Sequence, residues 1–286
     1  MNMINNSRLW IWLDVSSSCN LSCRDCYTKE THSRAQLSIS NYSLLLKKLM
    51  ETELIIEKLH LNWRGEPLLN RYFTDFLTVR NSIAPNVPIE FHTNGLLLTS
   101  AMCKKIVESS SPNDLAYVSI DGGGETLHEE NRGKGTWRST LDGLHRLLDA
   151  RESNPQKQLK VGIYEISYRR NAIYDVELVT LSRKCDIWTR VSPIDKFGQE
   201  KFFNSNKFPQ GPCFWAGNAM CITTQGDVHI CMLSFNSNGV IGNIFQEEVD
   251  AIIERGRLFR ARLMHQGRNA VEHCKNCLKA EGDIDD

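Results

Sequence analysis

Three cysteines, Cys19, Cys23 and Cys26, fall within eight residues in CNLSCRDCY, directly after a strand-like run. Thiolates are soft ligands that suit zinc or iron and sulfur. Three of them leave one position of a four-ligand site open, and an open position is where a substrate or cofactor binds. A zinc ion completed by a distant residue such as His32 is the plain alternative. A second set comprises Cys213, Cys231, Cys274 and Cys277, and it joins the tight pair of HCKNC to two separated cysteines. That pattern is a strong metal signal, divided between zinc and iron–sulfur. Of the ten cysteines, Cys103 and Cys185 sit in helical patterns and read as packed thiols. Cys221 lies in a strand pattern and reads as a packed residue or an alternative ligand.

These residues need elements to hold them. From Arg8 to about Ser192, short β-branched or aromatic runs alternate with longer amphipathic stretches, the pattern of βα units around a parallel sheet. Strands are expected at 9–16, 57–63, 87–93, 115–121, 159–167 and 186–192, and helices near 40–52, 70–83, 99–110, 136–152 and 173–184. Ser40 and Asn41 read as an N-cap, and TNG (93–95) and DGGG (121–124) as turns at strand ends. Six units fall short of the eight that close a full barrel, so the fold class is α/β, a partial TIM-like barrel. Residues 193–212 are polar and turn-rich and read as a linker. AMCITT and VHICML then flank QGD as a hairpin, and an amphipathic helix follows at about 247–264. The expected domains are 1–192, the linker 193–212, and a small hairpin-plus-helix domain over 213–286.

Composition narrows the partners. The 286 residues are 41% hydrophobic, enough for one large core or two modest ones, and 34 basic against 34 acidic residues give a net charge of zero. No run of about 18 apolar residues and no signal-peptide pattern appears, so a cytoplasmic chain without a membrane partner is expected. In a reducing compartment the cysteines point to metal or catalysis rather than disulfides. The arginine-rich stretch 254–268 could suit RNA, but Leu258, Phe259 and Leu263 read as a buried face with arginines around it, which disfavours nucleic acid.

The motifs resemble those of the radical S-adenosylmethionine enzymes. CxxxCxxC after strand one is that family's hallmark, and the resemblance implies a [4Fe-4S] cluster held by Cys19, Cys23 and Cys26, with S-adenosyl-L-methionine on the fourth iron. NWRGEPLL (62–69) resembles the family's GGEP segment, with Gly65 and Glu66 matching and Arg64 replacing the first Gly. FHTNG (91–95), with Asn94, resembles the TNG segment. VSIDGGGETLHEENRGKGTW (118–137) resembles a block of the peptide-maturing branch, which would lend Ser119, Asp121 and Arg132 to the cosubstrate. The family often has an aromatic residue where this chain has Asp25, and Tyr27 is the candidate to meet the adenine in its place.

The C-terminal cysteines resemble a SPASM extension, closer to the shorter twitch form, which implies a second [4Fe-4S] cluster on Cys213, Cys231, Cys274 and Cys277 that would conduct electrons or stiffen the fold, electron transfer being favoured. The implied function is an oxidoreductase or epimerase that generates a 5'-deoxyadenosyl radical, fed by a flavodoxin- or ferredoxin-type reductant. A ribosomally made peptide is the favoured substrate, to be crosslinked, oxidised or epimerised. With 18 residues before Cys19, a peptide substrate is expected to need either a separate leader-peptide recognition protein or direct docking. An aminocyclitol or aminoglycoside intermediate is the alternative. In an epimerase, Cys221 would be the hydrogen-atom donor; in a structural zinc protein, none of this chemistry would occur.

Overall fold

The structure is a computed structural model that describes residues 8–26, 28–31, 33–168, 173–191, 213–233, 239–272, 274 and 277. Six parallel strands come first: β1 (Arg8–Leu13), β2 (Ile55–His60), β3 (Ile89–Thr93), β4 (Leu115–Asp121), β5 (Lys160–Ile166) and β6 (Ile187–Val191). Between them lie α1 (Ile39–Met50), α2 (Phe73–Ile83), α3 (Ser100–Ser109), α4 (Glu125–Arg132), α5 (Thr136–Glu152) and α6 (Val176–Ser182). The partial barrel expected from the βα alternation is therefore present. Side chains at alternate strand positions face opposite sides. One set, including Leu9, Ile11 and Leu13, packs under fully buried helix residues such as Leu45, Leu46 and Leu49.

Helix starts follow local hydrogen-bond chemistry. Ser38, not the expected Ser40 or Asn41, caps α1, because its hydroxyl accepts the Asn41 N–H at 3.1 Å. Thr99 caps α3 through the Met102 N–H, and Asp175 caps α6. Helix α4 was not anticipated. ETLHEENR buries only His128 and Asn131, so it carries no apolar period to read.

The C-terminal part differs more. After α7 (Phe214–Asn218), β7 (Ala219–Ile222) pairs parallel with β1, with Trp12 opposite Cys221. The expected hairpin forms from β7 and β8 (Asp227–His229), and an unforeseen β9 (Val240–Asn243) pairs with β8. Among the described residues one nine-stranded sheet results, in the order β6-β5-β4-β3-β2-β1-β7-β8-β9. The terminal helix is α8 (Val249–Gln266). Lys48 of α1 donates to the carbonyls of Ile244 and Glu247 at 2.8 Å each, tying the extension to the barrel. The expected linker, Tyr27 and His32 lie outside the described residues. Among the described residues no helix is long and apolar enough to cross a membrane.

Candidate active site

Cys19, Cys23 and Cys26 occupy the loop after β1 and face a cavity of about 220 Å³. The loop is held by backbone. Glu66 N–H donates to the Ser18 carbonyl at 2.8 Å, and Thr28 Oγ1 donates to the Arg64 carbonyl at 3.1 Å. Gly65 is the point of closest approach, since a Cβ there would lie 2.2 Å from the Ser16 oxygen and 2.5 Å from the Ser18 oxygen. Arg64 is also a positioning residue. It binds the fully buried Asp14 through its backbone N–H (2.8 Å) and through Nε (2.6 Å).

The Glu66 carboxylate is buried and accepts from Thr93 Oγ1 (2.7 Å), Asn94 N–H (2.8 Å) and Leu68 N–H (3.1 Å), so it ties the ends of β2 and β3 together while lining the cavity. Burial raises its pKa, against those three hydrogen bonds and the field of Arg132. Asn94 and Ser119 also line the cavity. Asp121 does not; its fully buried carboxylate takes both Arg132 Nε (2.8 Å) and Nη2 (3.0 Å), with Asn131 Nδ2 at 2.6 Å. Asp121 is thus the residue that aims Arg132, and Arg132 is the one at the wall.

Beside this pair, Nδ1 of the buried His128 accepts the Asp121 backbone N–H at 3.3 Å. Burial and then Arg132 lower the His128 pKa to about 4. The folded chain therefore refuses a proton that the unfolded chain binds near pH 6.5. Stability should be level above about pH 6.5, fall as pH drops from there towards about 4, and level again below, by on the order of 3 kcal/mol in all. Urea unfolding at stepped pH should show that slope in the wild type and lose most of it in His128→Gln.

The four remaining metal candidates converge. Burial holds the Cys231 thiol well above its ordinary range, and Cys213, Cys277 and Cys274 push it the same way. Cys274 is pushed up to about 12, first by burial and then by Cys277 and Cys213. In the first trio Cys19 is pushed up to about 11 by burial, opposed by the Leu21 N–H, with Glu66, Cys23 and Cys26 adding to the rise. Thiols whose protons burial retains, as at Cys19, Cys23, Cys231 and Cys274, become ligands when cations replace those protons, so both sets fit cationic iron–sulfur cores. Cys221 is fully buried in the apolar cluster with Trp12, Trp63 and Trp215, and it does not line the cavity.

The lumen holds what sequence reading missed. Lys58 and His60 on β2 and Glu90 and His92 on β3 all line the cavity. Glu90 Oε1 sits 3.3 Å from His60 Nδ1 and 3.0 Å from His92 Nε2, and Oε2 sits 2.6 Å from Lys58 Nζ. Register explains this, since His60 pairs with Glu90 across β2 and β3. Burial opposes ionisation of Glu90, but His60 and His92 outweigh it and hold the carboxyl well below the usual range. Trp12 stacks on His60 at 4.3 Å, and Trp215 lies 5.4 Å from Trp12 and 5.6 Å from Trp10. Strand parity was the available signal. Asn94 was a predicted site residue, and His92 and Glu90 share its face at two and four residues before it.

Comparison with known proteins agrees with this geometry. The family profile described as "Radical SAM superfamily" matches residues 13–164, just over half of the chain, and "SPASM: Iron-sulfur cluster-binding domain" matches residues 213–278. The chain belongs to the radical SAM superfamily, and its cofactors are S-adenosyl-L-methionine and two [4Fe-4S] clusters. It is similar to the mycofactocin maturase MftC of Mycolicibacterium smegmatis (20% identical, covering 91% of this chain and 74% of that one). It is also similar to the S-adenosyl-L-methionine-dependent 2-deoxy-scyllo-inosamine dehydrogenase of Niallia circulans (21% identical, 93% and 91%). Its fold resembles Streptococcus suis SuiB bound to precursor peptide SuiA (TM-score 0.68, 14% identical, 98% and 72%).

Proposed function

We propose that this chain is a radical SAM oxidoreductase that removes hydrogen from a carbon bearing a hydroxyl or amino group, on a compact polar substrate of the aminocyclitol type. The observation that carries the reading is the Lys58–Glu90–His60–His92 quartet on the lumen wall. It offers a fixed anion, a cation and two imidazoles to a substrate rich in hydroxyl and ammonium groups, inside a cavity partly screened from water. A purely apolar peptide side chain would offer those groups no hydrogen bond and would strip water from them. Similarity to a 2-deoxy-scyllo-inosamine dehydrogenase over nearly the whole chain supports the same choice.

In this reading Cys19, Cys23 and Cys26 would hold one cluster, and Cys213, Cys231, Cys274 and Cys277 the other. With these and S-adenosylmethionine bound, the site supplies one-electron sulfonium cleavage and hydrogen-atom abstraction. Arg132, aimed by Asp121, would take the cosubstrate's carboxylate, while Asn94 and Ser119 meet its other polar groups. Glu66 holds the β2 and β3 ends in place around the amino group. His60, oriented through Nδ1 by Glu90, would accept at Nε2 the proton released as the hydroxyl-bearing carbon is oxidised, and the second cluster would take the electron. Residues 1–192 and 213–286 are the corresponding units, and a flavodoxin- or ferredoxin-type protein would be the reductant.

A ribosomal peptide is the second reading, supported by the 118–137 block and by the likeness to SuiB, which was solved with a precursor peptide. Reconstituted enzyme with dithionite should be offered 2-deoxy-scyllo-inosamine and related aminocyclitols beside peptides encoded near its gene. Raised 5'-deoxyadenosine and a product lighter by two hydrogens are expected with an aminocyclitol. A modified peptide with every aminocyclitol inert would replace the first reading by the second.

A further inference from the structure

The chain leaves α8 at Gly267, which turns it with φ +71°, and enters one short helical turn (Arg268–Ala270). From there three bonds of the same reach fold it onto itself. Val271 N–H donates to the Arg268 carbonyl at 3.0 Å, Cys274 N–H to that of Val271 at 2.8 Å, and Cys277 N–H to that of Cys274 at 3.1 Å. This compact course returns Cys277 to the arginine nine residues earlier, and Arg268 Nη1 donates to the Cys277 carbonyl at 3.4 Å. Arg268 is 1% exposed, and Val271 and Cys274 pack in the buried cluster that also holds Cys213 and Cys231.

A guanidinium carries its charge at any working pH, so the turn keeps a permanent cation at the Cys274–Cys277 pair. At Cys274 burial does most to raise the thiol's pKa, Cys277 and Cys213 add to the rise, and Arg268 opposes them. A second buried arginine, Arg260 on α8, acts on Cys221 instead. Four thiolates around an iron–sulfur core leave a net anion, which becomes more negative on accepting an electron. A fixed cation in low-dielectric surroundings stabilises the reduced form more than the oxidised one.

We propose that Arg268 closes the Cys274–Cys277 turn and supplies the fixed charge that raises the reduction potential of the second cluster. The inference rests on the reading that Cys213, Cys231, Cys274 and Cys277 hold that cluster, and it is independent of the substrate class. Arg268 is then a positioning residue, acting through the ligand turn and through its field rather than as a ligand.

The test uses the full chain with Cys19→Ala, Cys23→Ala and Cys26→Ala, reconstituted anaerobically, with iron counting and a mediated redox titration followed by electron paramagnetic resonance. This parent should hold about four irons. A parent without iron, or one whose iron survives Cys274→Ala with Cys277→Ala, would overturn the ligand reading and the inference with it. At iron equal to the parent's, Arg268→Gln should make reduction about tenfold less favourable, a midpoint about 59 mV more negative for one electron, while Arg268→Lys stays near the parent. An Arg268→Gln midpoint equal to the parent's or above it would overturn the proposal and leave the ligand reading standing. So would an Arg268→Lys midpoint as negative as that of Arg268→Gln, since the charge would then not matter. Should Arg268→Gln lose its iron, Arg268→Lys decides: iron retained at the parental midpoint supports the proposal, and any other midpoint or loss of the iron overturns it.

Discussion

Replacing Glu90 with glutamine is expected to lower product formation about 100-fold while 5'-deoxyadenosine release continues, so that cleavage and turnover uncouple. The effect should be large because one carboxylate serves three partners. Oε2 holds Lys58 at 2.6 Å, and Oε1 lies near His60 and His92 at 3.3 and 3.0 Å. Glutamine keeps the shape but removes the anion, leaving the Lys58 ammonium without its counter-charge and the imidazoles without a charged acceptor. Lys58 remains about one third exposed, so the stability cost should be modest, about 1–2 kcal/mol. The measurement is the ratio of 5'-deoxyadenosine to product in single-batch assays. An unchanged ratio would remove the quartet from the reaction and with it the main support for a small polar substrate. Glu90→Asp, which keeps the charge, should recover part of the activity.

The second large effect should come from a methyl group. Gly65→Ala puts a Cβ within 2.2 and 2.5 Å of two backbone oxygens, those of Ser16 and Ser18, and backbone cannot rotate away as a side chain can. The two loops must part, and the contact they lose includes the Glu66 N–H to Ser18 carbonyl bond that seats the cysteine loop. Overpacking of this kind costs about 1–3 kcal/mol. Displacing Cys19, Cys23 and Cys26 relative to Glu66 and Arg132 should cost more in activity than in stability, about 100-fold in 5'-deoxyadenosine formation. Iron content, urea unfolding and S-adenosylmethionine cleavage measured on the same preparation separate the two losses. Full cleavage activity in a folded, iron-loaded Gly65→Ala would show that the loops tolerate separation.

Much of the site was legible before any fold was known, and the legible part shares one property. Cys19, Cys23 and Cys26 sit on a single loop, and Glu66, Asn94, Ser119 and Arg132 sit in short segments whose residue order carries the chemistry. The resemblance of the 118–137 block lends Asp121 to the cosubstrate together with Ser119 and Arg132. The structure instead buries it completely beneath that guanidinium. Segment order names the residues, and only burial tells which one faces the cavity.

Sequence by itself thus determined the radical-generating class and the six βα units, and it named two candidate cysteine sets, because each depends on spacing within a loop or on a period within one element. Tertiary structure decided the rest. The Lys58–Glu90–His60–His92 quartet exists because β2 and β3 align His60 with Glu90 across thirty residues of chain. The pairing of β7 with β1 carries the sheet on into the C-terminal residues, and it sets Cys221 beside Trp12, among buried tryptophans and away from the cavity wall. Within 254–268, Arg260 reads as one of the arginines around a buried apolar face. Its burial against Ala219 shows that a charge's surroundings are a property of packing, which no local stretch of residues encodes.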